Sequence, residues 1–221
     1  MGIYPIRNHY YEPLFDAREL KHSLDEDRAL PALNLNIDEQ LDLIGKFAYA
    51  DELLDIPMDR ESQLGFYYNN GFFEAGDAEF LYNIIRHAKP RRIFEIGSGH
   101  STMMARIALA ANNADDANYQ CHHVCVEPYE AGWLDDVGVD LVRTPVERID
   151  PGFFTQLEAN DVLFIDSSHM IRPQGDVLFE YLRILPALNS GVLVHIHDIR
   201  TPKDYRLFMI EGVERSAAVG L

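Results

Sequence analysis

From Asp77 onward, apolar positions along this chain switch between two spacings. Phe80, Leu81, Ile84, Ile85 and Ala88 recur three and four residues apart. That spacing predicts a helix, capped by Asp77 and stopped by Pro90. Short apolar runs then predict strands at Arg92–Ile96, His122–Val126, 139–143, 161–165 and 191–196. Helices are predicted between them at 101–111 and 174–188, the second on Leu178, Tyr181, Leu182 and Leu185. Apolar strands alternating with helices predict an α/β fold, a Rossmann-like, doubly wound and mostly parallel sheet with helices on both faces. Ligands of such sheets bind beyond the carboxyl ends of the strands, so the chemistry is sought just after each one.

The first 75 residues read differently, as an N-terminal extension or cap on a domain spanning 76–221. Asn36 and Glu39 form a capping-box pattern, and Leu41, Ile44 and Ala48 then repeat on one helical face. The aromatic stretch Gly65-Phe66-Tyr67-Tyr68-Asn69-Asn70-Gly71-Phe72-Phe73 reads either as a loop packed on the core or as a lid. In the second reading Tyr67, Tyr68 and Asn70 face a ligand.

Composition narrows the classes. The chain has 221 residues, 47% of them apolar, which suits one α/β domain with an appendage. It contains no apolar run of 18 residues, and its start has no signal-like apolar stretch, so a cytoplasmic protein is expected. Cys121 and Cys125, four apart on one strand, would lie roughly 13 Å from each other and stay unpaired. A net charge of −17 opposes a polyanionic partner, so no nucleic acid is expected. Small metabolites, cationic or metal-assisted, fit better.

Residues at the strand ends carry the chemistry. The first strand runs into Glu95-Ile96-Gly97-Ser98-Gly99-His100-Ser101-Thr102. Gly97 and Gly99 permit a sharp turn and close backbone approach, and Ser101 opens a helix with free amides. Thr102 stands where a dinucleotide fingerprint has its third glycine, which argues against a nicotinamide cofactor. The second strand ends at Glu127-Pro128, and an acid there can hold the ribose hydroxyls of a nucleoside. The fourth ends in Asp166-Ser167-Ser168-His169 and the fifth in His195-Ile196-His197-Asp198. Aspartate and histidine at such tips act as general bases or ligate a divalent metal.

With these residues in place, the chain resembles the class I S-adenosylmethionine (SAM)-dependent methyltransferases, over about residues 65–205. It looks most like a bacterial branch with E-I-G-S-G-x-S-T, I-D-x-x-H and V-H-I-H-D-I. The resemblance implies SAM as cofactor, with Glu95, Gly97, Ser98, Gly99 and Ser101 around its methionine part. Glu127 and Pro128 would hold the ribose, Pro145 and Val146 would border the adenine, and Asp166 would stand beside the transferred methyl. His197 or His195 is expected as the base, with His169 nearby, acting on a small-molecule oxygen or nitrogen nucleophile. Asp166 and Asp198 are the candidate Mg²⁺ ligands. The family fold has further strands after the fifth. The 23 residues after Asp198 admit a helix at 204–219 but hardly those strands. The fifth strand is then an edge, covered by the extension or by another subunit of a homo-oligomer. Another Rossmann-fold enzyme, a nicotinamide oxidoreductase or metal-dependent oxygenase, stays open, as does a non-catalytic binding protein.

Overall fold

A computed structural model describes residues 20–31, 33–129, 132–200 and 202–205. The chain divides into two compact units. One comprises Met1–Leu35 with Ile199–Leu221, the other Asn36–Asp198. In the first, the Arg28 guanidinium donates to the carbonyls of Pro202 and Lys203 and pairs with Asp204. The helix expected at 204–219 lies almost wholly outside the described residues.

The second unit is a five-stranded, all-parallel sheet in the order β3-β2-β1-β4-β5. The strands are β1 (Arg92–Ile96), β2 (His122–Val126), β3 (Asp140–Val142), β4 (Val162–Ile165) and β5 (Leu193–Ile196). This is the Rossmann-like α/β fold expected from the alternating pattern. The strand order reverses at β1, flanked by β2 on one side and β4 on the other. β5 is an edge strand, with Val194 exposed.

Two apolar layers cover the sheet. On one face, Ile93, Val162 and Phe164 pack against α2 (Asp77–Ala88) and α3 (His100–Asp115). Leu81, Tyr82 and Ile85 of α2 meet Met104, Ala105 and Ala108 of α3, where small side chains allow close approach. Burial of each large apolar side chain here contributes about 1.5–3 kcal/mol. Between these helices Arg86 is fully buried, paired with Glu52 and Asp115 and hydrogen-bonded to Asn112. On the other face, Phe94, Ile96, Val124, Val126, Leu163 and Ile165 pack against Val146, Phe154, Leu157 and Ile184.

The body also takes in residues 36–75, whose Leu53, Phe66, Tyr68 and Phe73 join the first layer. The short helix α1 (Ile37–Ile44) buries none of its residues. Its expected stripe points outward, with Leu41 and Ile44 exposed, while Leu43 and Phe47 do the packing. Asn36 has a left-handed backbone (φ 48°) and its side chain makes no cap. The helix expected at 174–188 is broken. One α-turn, α4 (Asp176–Phe179), passes into a π-turn at Glu180–Ile184 and a 3₁₀ turn at Leu185–Ala187. Pro186 has no amide to continue an α-ladder, and the Glu180 carboxylate is drawn to the Ser167 hydroxyl.

Candidate active site

Each parallel ladder runs one rung past its strand. Glu127 N–H donates to Val142 at 3.1 Å, Gly97 to Val126 at 3.1 Å, Asp166 to Ile96 at 2.8 Å and His197 to Ile165 at 2.9 Å. These rungs set Glu127, Gly97, Asp166 and His197 side by side along the carboxyl edge. Gly97 adopts φ +83°, a left-handed conformation that turns the chain sharply over the sheet.

Two cavities open at this edge. One, of about 570 Å³, is lined by Gly97, Ser98, Gly99, Ser101, Glu127 and Asp166, and by an opposing wall of Tyr67, Phe72, His100 and Trp133 with Arg60. The other, of about 310 Å³, is lined by Gly97, Glu127, Pro128, Pro145, Val146 and Asp166, with Arg172 and Asp176. Gly97, Glu127 and Asp166 border both. A β-carbon at Gly99 would meet nothing within 4 Å, so this backbone is open to a ligand. The Glu127 carboxylate is fixed by two amides, accepting from Ser98 at 3.3 Å and Tyr129 at 2.9 Å.

Glu95 departs from expectation. It lines neither cavity and is fully buried beneath the glycine turn. Thr102 Oγ1 accepts from Gly99 N–H at 3.2 Å and donates to Glu95 at 2.5 Å. The residue in place of the third glycine thus ties the turn to the strand.

The histidines fall into three settings. His195 lines neither cavity. Its ring packs 4.6 Å from Phe164 and 6.2 Å from Phe80, and burial holds its pKa below the ordinary value. His197 is buried, with Nδ1 3.4 Å from Asp166 and 3.7 Å from Asp198, and Nε2 3.4 Å from Asp77. Asp166 foremost raises its pKa to about 9, which favours the imidazolium at neutral pH. His169 Nε2 lies 3.0 Å from Asp166 and 3.7 Å from Asp198, and Asp166 raises its pKa as well. Burial disfavours the Asp166 charge, yet the hydrogen bond with His169 and the adjacent His197 ring hold its carboxyl below the ordinary range.

Asp166, His169 and Asp198 offer three ligand atoms within 4.8 Å of one another. His169 and Asp198 both have left-handed backbones, φ 56° and 57°. Strain of this kind, about 1–3 kcal/mol per residue, concentrates at ligand sites. The sequence paired Asp166 with Asp198; the geometry adds His169.

Residues 60–73 supply part of the cavity wall, though not with the side chains expected. Tyr67 faces the cavity, but Tyr68 lies in the core. Asn70 staples its own loop, donating to Tyr67 and Phe73 carbonyls and accepting from Phe72 and Phe73 amides. Arg60, Phe72, His100 and Trp133 were missed. Their pattern has no period, and only the folded chain brings them together. Cys121 and Cys125 are both free.

A Rossmann-like sheet thus carries a glycine turn, a strand-tip acid and an aspartate in one row. The chain matches the family model described as "Methyltransferase domain" over residues 94–199 and belongs to that family, a class I SAM-dependent methyltransferase family. It is also similar to an "Uncharacterized protein" of Archaeoglobus fulgidus. The two are 31% identical over 168 residues, covering 69% of this chain and 73% of that one. No helix among the described residues is long and apolar enough to cross a membrane.

Proposed function

We propose that this protein transfers a methyl group from SAM to an oxygen or nitrogen nucleophile on a small molecule. The observation that carries this reading is the shared border of Gly97, Glu127 and Asp166 between two cavities at the strand-order switch. The donor set fits. Open backbone at Gly99 and free amides at the start of α3 suit the methionine part. Glu127, both of its oxygens fixed by backbone amides, accepts from the ribose hydroxyls. Pro145 and Val146 flank the base in the smaller cavity.

Bound SAM supplies a sulfonium leaving group, so the chain's own task is mainly alignment. Alignment of this kind contributes up to roughly 7–11 kcal/mol. Asp166, at the rim of both cavities, accepts a hydrogen bond from the acceptor and aims its lone pair. His169 and His197 behind it keep the carboxylate charged. Tyr67, Phe72 and Trp133 exclude water and hold the acceptor. Asp166, His169 and Asp198 would hold Mg²⁺, which lowers the pKa of a bound hydroxyl.

Calorimetry with S-adenosylhomocysteine tests the cofactor. Micromolar binding, weakened at least tenfold in Glu127→Ala, is expected. Binding of NADH instead, or of neither nucleotide, refutes the reading. Asp166→Asn should then cut turnover on a responsive acceptor far more than it cuts cofactor affinity. Equal losses would assign Asp166 a structural role.

A further inference from the structure

Beneath the glycine turn, outside both cavities, lies a second group of ligand-bearing side chains. Glu95 on β1 and Cys125 on β2 are register partners, and His123 precedes Cys125 by two on the same face. All three are buried, at 0%, 0% and 3% exposure. Glu95 Oε2 lies 3.4 Å from Cys125 Sγ and 3.6 Å from His123 Nε2, and these last two are 3.9 Å apart. Their polar groups are poorly satisfied. Glu95 Oε1 and His123 Nδ1 are buried without a hydrogen-bond partner, as is the Ser98 hydroxyl. Ser98 adjoins the Cys125 thiol. An ionised carboxylate sealed from water needs charge or hydrogen bonds to offset it, and here Thr102, a thiol and the His123 ring are its neighbours.

The three atoms that converge are Glu95 Oε2, Cys125 Sγ and His123 Nε2, and a cation among them would offset the carboxylate's charge; the orphaned Glu95 Oε1 and His123 Nδ1 are not its ligands. An ion in the plane of the three ligand atoms and equidistant from them lies about 2.1 Å from each, and one slightly above that plane a little farther, within the range of Zn–N and Zn–O distances of about 2.0–2.2 Å and Zn–S of about 2.3 Å. We propose that Glu95, His123 and Cys125 hold a buried structural zinc ion. Charge supports it. A divalent ion with one carboxylate, one thiolate and one neutral imidazole sums to zero, which suits a site cut off from solvent. Binding forms a Zn–S bond and expels the thiol proton to solvent, with no redox change. Softness separates this site from the strand-tip cluster of Asp166, His169 and Asp198. Thiolate and imidazole select zinc, whereas oxygen-rich, exposed donors suit Mg²⁺. An ion here pins β1 to β2 directly below Ser98 and the turn that opens the larger cavity. The proposal does not rest on the methyltransferase reading.

The test is metal content and Co²⁺ spectroscopy on the full chain, refolded in the presence of each ion. One tightly bound zinc per chain is expected, retained in Asp166→Asn/Asp198→Asn. The Co²⁺ protein should show a thiolate-to-metal charge-transfer band that persists in Cys121→Ser and vanishes in Cys125→Ser. His123→Gln should weaken zinc binding at least 100-fold. Circular dichroism checks that each variant folds. If Cys125→Ser does not fold, the wild-type and Cys121→Ser bands decide. No tight zinc, no thiolate band, or zinc lost in the Asp166/Asp198 variant and kept in Cys125→Ser overturns the proposal.

Discussion

Gly97 and Asp166 touch so closely that a β-carbon on Gly97 would lie 2.0 Å from the Asp166 carbonyl oxygen. The obstacle is backbone, held by the Asp166–Ile96 rung, and it cannot swing aside. The left-handed conformation adds a cost of about 1–2 kcal/mol for any side chain. Gly97→Ala should therefore destabilise the fold by at least about 3 kcal/mol, read by urea unfolding. Stability equal to wild type would show that the turn relaxes. The reason for this glycine is strand packing, not space for a ligand.

Gly99 behaves oppositely. Its backbone is extended (φ −169°) and a β-carbon there meets open space. Gly99→Ala should fold with an unchanged melting temperature and lose tenfold or more in S-adenosylhomocysteine affinity. Unchanged affinity would mean that the ligand does not approach this backbone.

Thr102 bridges the turn and the buried acid. Thr102→Val keeps the shape but removes the hydroxyl that receives Gly99 N–H and serves Glu95. Leaving those groups unpaired costs about 1–3 kcal/mol. Thr102→Ser should restore most of it. A neutral Thr102→Val would show that Glu95 finds another donor.

Much of this was legible in the sequence, for identifiable reasons. The boundaries of β1 and β2 follow from apolar runs ended by a glycine turn and an acid. The rule that ligands bind past strand ends found Gly97, Glu127 and Asp166. It also named Glu95, which the structure places outside both cavities. Two-residue periodicity sets Glu95 on the Ile93 face under α3, and that signal was available. The stripe on α1 misled because eight residues with one apolar side have no obligation to bury it; Leu43 and Phe47 found the core instead. The 174–188 helix broke at Pro186, which the sequence shows, and at a tertiary contact, Glu180 to Ser167, which no local pattern contains. The cavity wall of Arg60, Phe72 and Trp133 is equally non-local.

His197 carries a pH signature. Its folded pKa, raised to about 9 chiefly by Asp166, exceeds the unfolded value of about 6.5. Its stabilisation is therefore full below about pH 6.5 and lost as pH rises through about 9. Asp166, held below its ordinary range, loses its contribution only in acid. In chelator-treated protein, His197→Gln should lower the melting temperature most near pH 6, and the deficit should shrink by pH 9. A deficit independent of pH would show that the ring acts by packing alone.

Glu180 gives a slope of the same sign from the same linkage, in a lower pH window. It is fully buried on the π-turn, accepts from Ser167 Oγ at 3.0 Å, and burial pushes its pKa up to about 7. An acid whose folded pKa lies above its unfolded value binds more protons when folded, so stability falls as pH rises from about 4.5 to 7. Glu180→Gln keeps an oxygen for Ser167 and carries no charge to desolvate. Wild type should match or exceed the variant near pH 4.5 and fall progressively below it up to pH 7. A stability gap that stays constant over that range would mean that Glu180 titrates normally, with water reaching its second oxygen.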